Sequence, residues 1–368
     1  MKILTVIGAR PQFVKAAVVS RAIRNFSGIS EVLVHTGQHY DDNMSDVFFR
    51  EMDIPSPAIH LGIGSGSHGK MTGRMLEKIE EVLVREKPSI VLVYGDTNTT
   101  LAGALAAAKL HIPVAHVEAG LRSWNFQMPE EINRILTDQL SHWLFCPTDT
   151  AVENLLSEGI REKLGAGRKV RNVGDVMYDA VLYYQAKASP SAMIEQFVRE
   201  NGAGYVLATV HRAENTDCPE RLMKIFDALQ EVARQVPVIC PVHPRTAARL
   251  AEQGIDLSSS SRNLYLCNPV GYFDMLTLQK SCRLVMTDSG GVQKEAYFFR
   301  KPCITLREET EWVELVQEGW NLLAGAEPDR ILVAFRHFSG ELPHWDERLY
   351  GDGQAGDKIV KELAEMMG

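Results

Sequence analysis

The sequence predicts an α/β protein of two domains, each a parallel sheet covered on both faces by helices. Three observations predict it. The 368-residue chain exceeds the size at which a single hydrophobic core keeps growing, which favours two domains. Short apolar runs rich in β-branched residues alternate with helical patterns, as buried parallel strands alternate with their crossovers. The alternation loosens around residues 165–184 and then begins again.

In the first half the strand runs are Ile3 to Ile7, Glu31 to His35, Ser89 to Tyr94, Val114 to Val117 and Trp143 to Cys146. Most are bounded by Gly, Pro or polar turn residues. Helical patterns lie between them over Phe13 to Asn25, Gly69 to Glu86, Thr99 to Leu110 and Glu130 to His142. The second half offers strands at Tyr205 to Val210, Val238 to Val242, Leu264 to Cys267, Leu284 to Thr287 and Cys303 to Leu306. The predicted domains are 1–172 and 173–355, with no internal sequence repeat. The four serines at 258–261 read as a surface loop.

Composition narrows the function. Hydrophobic residues are 45% and charged residues 23% of the chain, close to globular averages, which argues against disorder. A net charge of -8 argues against nucleic-acid binding, which calls for basic surfaces. The six cysteines lie scattered, with no CxxC and no zinc spacing, so they read as reduced core residues. The apolar opening, Met1 to Ile7, is too short for a signal sequence and no stretch is long enough to span a bilayer. The expectation is a cytoplasmic protein with no membrane contact.

In open α/β sheets ligands bind beyond the carboxyl ends of the strands, so the residues following each strand carry most weight. After the first strand comes Gly8-Ala9-Arg10-Pro11-Gln12-Phe13-Val14-Lys15. There a helix start with Arg10 and Lys15 suits a diphosphate, or is a solvated helix start. Tyr94-Gly95-Asp96-Thr97 puts an acid at a strand tip, either a functional carboxylate or an N-cap. His116-Val117-Glu118-Ala119-Gly120-Leu121-Arg122 and Pro129-Glu130-Glu131-Ile132-Asn133-Arg134 bring Glu118 and Glu131 toward one another, with Arg122 and Arg134 close by. Two carboxylates beside cations suit proton removal from carbon, because environment separates their roles into base and acid. Glu130 reads as an acid favoured by the helix dipole.

The second half repeats the theme. His211 stands at a strand tip, flanked by Arg212 and Glu214, where an imidazole suits acid/base or phosphate work. His243 and Arg245 either line the cleft or cap an element. Asp288-Ser289-Gly290-Gly291 opens a helix that carries Glu295. Its bare amides suit a phosphate and its Glu295 a ribose, or the turn is an ordinary glycine cap. Gly64-Ser65-Gly66-Ser67-His68-Gly69-Lys70 has P-loop spacing, yet Met71 stands where magnesium binding needs Ser or Thr. No helix carries metal ligands at i, i+4, so no metal is expected.

GARPQFVK, TGQHY, GDTNTT, HVEAGLRS, PEEINR, TVHRAEN, PVHPRT and DSGGVQKEA occur in that order. With them the chain resembles, almost end to end, the non-hydrolysing UDP-N-acetylglucosamine 2-epimerase family. The resemblance implies a glycosyltransferase-B type fold: two Rossmann-like domains with a cleft between them, and a last helix, about 356–368, packed back on the first. It implies anti elimination of UDP with loss of the C2 proton, then protonation of the opposite face and re-addition of UDP, without a redox cofactor. Carried over by motif, Asp96, Glu118, Glu131 and His211 are the acid/base candidates. Arg10, Lys15, Ser289, Gly290, Gly291 and Glu295 bind UDP, and Phe273 falls near the uracil position. Arg122, Arg134, His243 and Arg245 are counted with the substrate contacts. A homodimer is implied.

Three motifs depart from the family pattern. GARPQFVK stands for GTRPEAIK, HRAEN for HRREN, and TEWVE for TERPE, so that Trp312 replaces a cation that the resemblance places at the nucleotide and Ala213 replaces an arginine. With GSGSHG, these are similar to the subgroup acting on UDP-2,3-diacetamido-2,3-dideoxyglucuronic acid, used in bacterial surface polysaccharides. UDP-N-acetylglucosamine is the alternative substrate; a glycosyltransferase or an inactive nucleotide-sugar sensor are the more distant readings. The stretch Tyr40-Asp41-Asp42-Asn43 lacks the glutamines through which the family binds an activating second substrate, so no such activation is expected.

Overall fold

The computed structural model describes residues 1–38, 56–64, 66–162, 167–254 and 263–365, apart from the side chain of Arg10. The 40–43 stretch and the 258–261 serines lie outside them. The chain divides into two compact units, Met1–Leu182 with Glu347–Gly368, and Tyr183–Asp346.

The first unit runs β1 (Lys2–Ile7), α1 (Arg10–Arg24), β2 (Ser30–His35), β3 (Ile59–His60), α2 (His68–Glu86), β4 (Ile90–Tyr94), α3 (Asn98–Lys109) and β5 (Val114–Val117). It continues through α4 (Pro129–Leu140), β6 (Trp143–Cys146), α5 (Asp149–Ser157), β7 (Lys169–Asn172) and α6 (Val176–Tyr184), the helix within which the division falls. All its strand pairs are parallel and the sheet order is β3-β2-β1-β4-β5-β6-β7. The order reverses direction between β1 and β4, the point at which doubly wound sheets open a crevice. Strand β4 is buried along its whole length, and α3 lays Ala102, Ala106 and Ala107 on the same core as Val6 and Val93. Small side chains let this helix approach the sheet closely. Thr97 caps it, accepting from the Thr100 amide at 3.4 Å.

The second unit holds α7 (Ala192–Asn201), β8 (Val206–Thr209), α8 (Ala213–Thr216), α9 (Pro219–Ala233), β9 (Val238–Pro241), α10 (Pro244–Glu252) and β10 (Leu264–Cys267). After these come α11 (Tyr272–Ser281), β11 (Leu284–Thr287), α12 (Gly290–Phe298), β12 (Cys303–Thr305), α13 (Val313–Gln317), β13 (Asn321–Leu323) and α14 (Pro328–His337). Its parallel sheet has the order β10-β9-β8-β11-β12-β13. The reversal falls between β8 and β11, so both units share one winding scheme.

The last helix, α15 (Ala355–Ala364), belongs to the first unit and packs on α1. Lys169 pairs with Glu365 at 2.9 Å and Arg171 with Glu362 at 3.2 Å. The Asp179 carboxylate accepts from the Gly356 amide at 2.9 Å at the start of the helix. The structure thus divides the chain after Leu182, not after Asn172, because α6 carries that anchor and Asp175 donates its amide to Tyr350.

Three strands escape the hydrophobic pattern. β3 is two residues long, β7 reads Lys169-Val170-Arg171-Asn172, and β13 is three residues long. β3, β7 and β13 are sheet edges, where short length and charge blunt unwanted pairing. All six cysteines are free thiols, four of them buried.

Candidate active site

The first unit gathers its chemistry where β1, β4 and β5 end. Gln12, on the first turn of α1, accepts from the amides of Gly8 and Ala9 at 2.8 and 3.0 Å. Its Nε2 donates to the carbonyl of Tyr94 at 2.9 Å and to Thr100 Oγ1 at 3.0 Å. One side chain therefore joins the β1 loop to the β4 tip. Gly95 follows at φ +61°, and the place where a β-carbon would stand is 3.2 Å from both Lys15 Nζ and Glu118 Oε2. Any larger residue would crowd both groups and be strained at this positive φ. Lys15 and Glu118 form a buried ion pair.

Glu118 occupies the left-handed region at φ +74°, a conformation that costs a non-glycine residue about 1–3 kcal/mol. The amides of Glu118 and Ala119 both donate to the carbonyl of Phe145, at 3.0 and 3.1 Å, and so hold the turn. The cation beside Glu118 is thus Lys15 from α1, not Arg122 as the motif spacing suggests. Arg122 is 1% exposed and gives its guanidinium to Glu158, to the Leu121 carbonyl and to Asp138. Every guanidinium nitrogen is thus bonded inside the unit.

Asp138 is the hub of this inner layer. It meets His116 Nδ1 at 2.7 Å, and His116 Nε2 in turn meets the carbonyl of Gly95 at 2.7 Å. Burial would raise the Asp138 carboxyl, but the hydrogen bond and charge of His116 and the charge of Arg122 outweigh it and hold the carboxyl below its ordinary range.

Thr97 takes the helix cap, so Asp96 keeps its carboxylate for another partner. That partner is Arg134, which also pairs with Glu131 at 3.0 Å. Exposure separates the three acids, with side chains 29% exposed for Asp96, 7% for Glu118 and 0% for Glu131. Glu131 further accepts from the Ser123 amide and hydroxyl and from the Trp124 amide, at 2.9 to 3.2 Å. It clamps the loop after β5, where Trp124 lies at φ +60°. Asn133 donates to the carbonyl of Asp96 at 2.9 Å.

The second unit places its candidates at the matching reversal. Thr209 and Thr287 lie side by side in register, which sets His211 beside Asp288. Asp288 is fully buried and accepts from the amides of His211 and Arg212 at 3.0 to 3.1 Å and from Asn215 Nδ2 at 3.1 Å. His211 Nδ1 lies 3.3 Å from Asp288 Oδ1, and its side chain is 43% exposed. The motif reading missed Asp288 as the partner of His211. The signal was present, since both residues directly follow apolar strands that prove to be neighbours.

Ser289 precedes α12 and donates its amide to Thr287 Oγ1 at 2.9 Å. A β-carbon on Gly290 would stand 2.2 Å from Glu311 Oε1, whereas one on Gly291 would meet nothing within 4 Å. The turn is closed on one side by Glu311, itself paired with Arg307 at 2.9 Å, and open on the other. Glu295 accepts from Gln279 Nε2 at 2.7 Å. Phe273 packs near Tyr184, ring centres 6.1 Å apart. Trp312 is 3% exposed and carries the Lys294 ammonium 4.3 Å over its ring, so the indole lies inside the unit. His243 caps α10, accepting from the Arg245 amide at 3.3 Å, and Arg245 pairs with Asp217 at the surface. Arg10 opens α1, and its side chain lies outside the described atoms.

Among the described residues no cluster of His, Cys, Asp or Glu could hold a metal ion, and no helix is long and apolar enough to cross a membrane.

Residues 21–364 match the family described as UDP-N-acetylglucosamine 2-epimerase. A Pseudomonas aeruginosa protein named UDP-2,3-diacetamido-2,3-dideoxy-D-glucuronate 2-epimerase is 54% identical over 368 residues, covering all of both chains. The crystal structure of Methanocaldococcus jannaschii UDP-GlcNAc 2-epimerase, in complex with UDP-GlcNAc and UDP, is similar at 43% identity and a TM-score of 0.91, covering 99% of this chain and 100% of that one. The Neisseria meningitidis enzyme bound to UDP-GlcNAc follows at 32% identity and a TM-score of 0.88, with the same coverage. These likenesses carry the two-domain glycosyltransferase-B type α/β fold. Extending through both units and over every motif above, they make the chain a member of the UDP-N-acetylglucosamine 2-epimerase family of isomerases.

Proposed function

We propose that this protein inverts C2 of UDP-2,3-diacetamido-2,3-dideoxyglucuronic acid by elimination and re-addition of UDP. The observation that carries the reading is the set of acids at the β1/β4 reversal, held by Lys15 and Arg134. A base takes the C2 proton while the C1–O bond breaks and its electron pair leaves with UDP. An acid then delivers a proton to the opposite face of the glycal, and the UDP oxygen returns to C1. Asp96, the most exposed of the three, and Glu118, at the neighbouring strand tip, are assigned to C2. Glu131 positions them through Arg134 and the clamped loop. His211, steadied by Asp288, and the amides at Ser289–Gly291 are assigned to the departing diphosphate, where preorganised donors stabilise developing charge. Arg10, Lys15, Phe273 and Glu295 join the UDP contacts by resemblance.

The substrate assignment rests on the 54% identical full-length relative and on the resemblance of the departures at Trp312, Ala213 and the GSGSHG segment to that subgroup. The reading extends to a homodimer in the cytoplasm, serving bacterial surface-polysaccharide synthesis. The test offers the diacetamido uronate and UDP-N-acetylglucosamine side by side in deuterated water. C2 inversion of the uronate with deuterium at C2 is expected by NMR. Preference for UDP-N-acetylglucosamine overturns the substrate, and retention of the C2 proton overturns the mechanism.

A further inference from the structure

The glycine-rich segment with P-loop spacing has no part in the chemistry above, yet its histidine is tied to the acid-bearing tip. A chain of side-chain amides runs from Asp96 to His68. Asn133 Nδ2 donates to the Asp96 carbonyl at 2.9 Å and lies 3.3 Å from Asn98 Oδ1. A carbonyl can only accept, so the first contact orients the Asn133 amide with its nitrogen toward Asp96, and the second makes Oδ1 of Asn98 the acceptor. The Nδ2 of Asn98 is then the donor that stands 3.1 Å from His68 Nδ1, nearer than Oδ1 of the same amide at 3.5 Å. A ring nitrogen that accepts carries no proton, so the neutral imidazole bears its hydrogen on Nε2. Asn98 is 5% and Asn133 6% exposed, which shields their orientations from exchange with water. His68 is the exposed end of this chain.

We infer that His68 Nε2–H donates to an acetamido carbonyl of the sugar, which makes His68 a specificity-determining binding residue. The inference rests on the acetamido-sugar reading above. The chemistry favours a neutral acceptor. The chain starts at Asp96, whose carboxylate shares Arg134 with Glu131, and the like charge of a uronate arriving there would be opposed. An amide carbonyl takes an N–H without desolvating a charge. A site built to bond one polar group rejects analogues lacking it, because its donor is left unmet.

The test combines kinetics with NMR of 15N-histidine-labelled protein. Wild type is expected to show His68 as the Nε2–H tautomer. Asn98→Asp offers oxygens to both neighbours and is expected to move the proton to Nδ1. His68→Phe and Asn98→Asp are each expected to raise KM for the acetamido sugar about five- to tenfold, the loss of one neutral hydrogen bond. His68→Gln, which keeps an N–H, is expected to lose less. Inhibition by UDP, which has no acetamido group, is expected to stay within about twofold, since its contacts are untouched. An Nδ1–H tautomer in wild type, an unchanged KM in His68→Phe, or an equal weakening of UDP would overturn the inference. A wild-type protein that inverts no UDP-acetamido sugar overturns the parent reading as well, whereas an active enzyme indifferent to His68→Phe overturns this inference alone.

Discussion

The two units wind their sheets in the same order and place polar residues at the same reversal, but they hold their acids by opposite means. In the first unit Glu118 and Asp96 are met by side-chain cations, Lys15 and Arg134, drawn from helices far away in sequence. In the second, Asp288 is met by two backbone amides, an asparagine amide and an imidazole, all from the tip of the neighbouring strand and the short helix after it. On the proposed mechanism one scaffold serves two chemistries. The first unit presents carboxylates, as proton exchange at carbon requires, and the second presents donors, as a diphosphate requires.

The sharpest way to break that comparison is to remove charge on the carboxylate side. Glu118→Gln is expected to lower kcat by about two to four orders of magnitude, the usual worth of a general acid or base, while UDP still binds by calorimetry. Because it leaves Lys15 buried without its ion-pair partner, the melting temperature is expected to fall too. Unchanged turnover would remove Glu118 from the chemistry.

On the donor side, Asp288→Asn keeps the shape but turns an amide group toward groups that themselves donate. We expect kcat to fall about a hundredfold, in the lower range of a lost acid/base group. The double variant Asp288→Asn/His211→Gln should be little worse than the more damaged single, since coupled residues are not additive. Additive losses would separate His211 from Asp288.

Gly290→Ala drives a methyl into Glu311 Oε1, 2.2 Å away. UDP affinity is expected to fall about tenfold, roughly the 1.4 kcal/mol of a modest steric shift, with C2 deuterium exchange per bound substrate preserved. Gly291→Ala, which enters open space, is the control in the same titration.

The last effect is on stability rather than turnover and concerns Asp179, an acid of the first unit held, as Asp288 is, by backbone amides. Burial pushes its carboxyl up to about 6, against the pull of the Gly356 and Ala355 amides and with the help of Asp175 and Asp352. The folded state thus holds the proton more tightly than the unfolded chain, and stability contributed by this group is lost as pH rises from about 4 to 6. Denaturant titrations should show Asp179→Asn gaining on wild type across that window by on the order of 2 kcal/mol. A difference independent of pH would contradict the raised carboxyl.

The sequence alone determined the fold class, because buried parallel strands leave continuous apolar runs whose ends mark where polar chemistry is permitted. That is why Asp96, Glu118, His211 and Ser289 were all legible as strand-tip residues, and why the ordered motifs were enough to place the family. The short edge strands β3, β7 and β13 were not legible, since edges carry little of the apolar signal. Only the tertiary structure decided which charge meets which. Lys15 rather than Arg122 answers Glu118, Asp288 rather than a sequence neighbour steadies His211, and His68 is joined to Asp96 through Asn98 and Asn133. Sequence spacing ranks neighbours along one chain, whereas an ion pair or hydrogen bond forms between whatever side chains the sheet order brings within about 3 Å of each other.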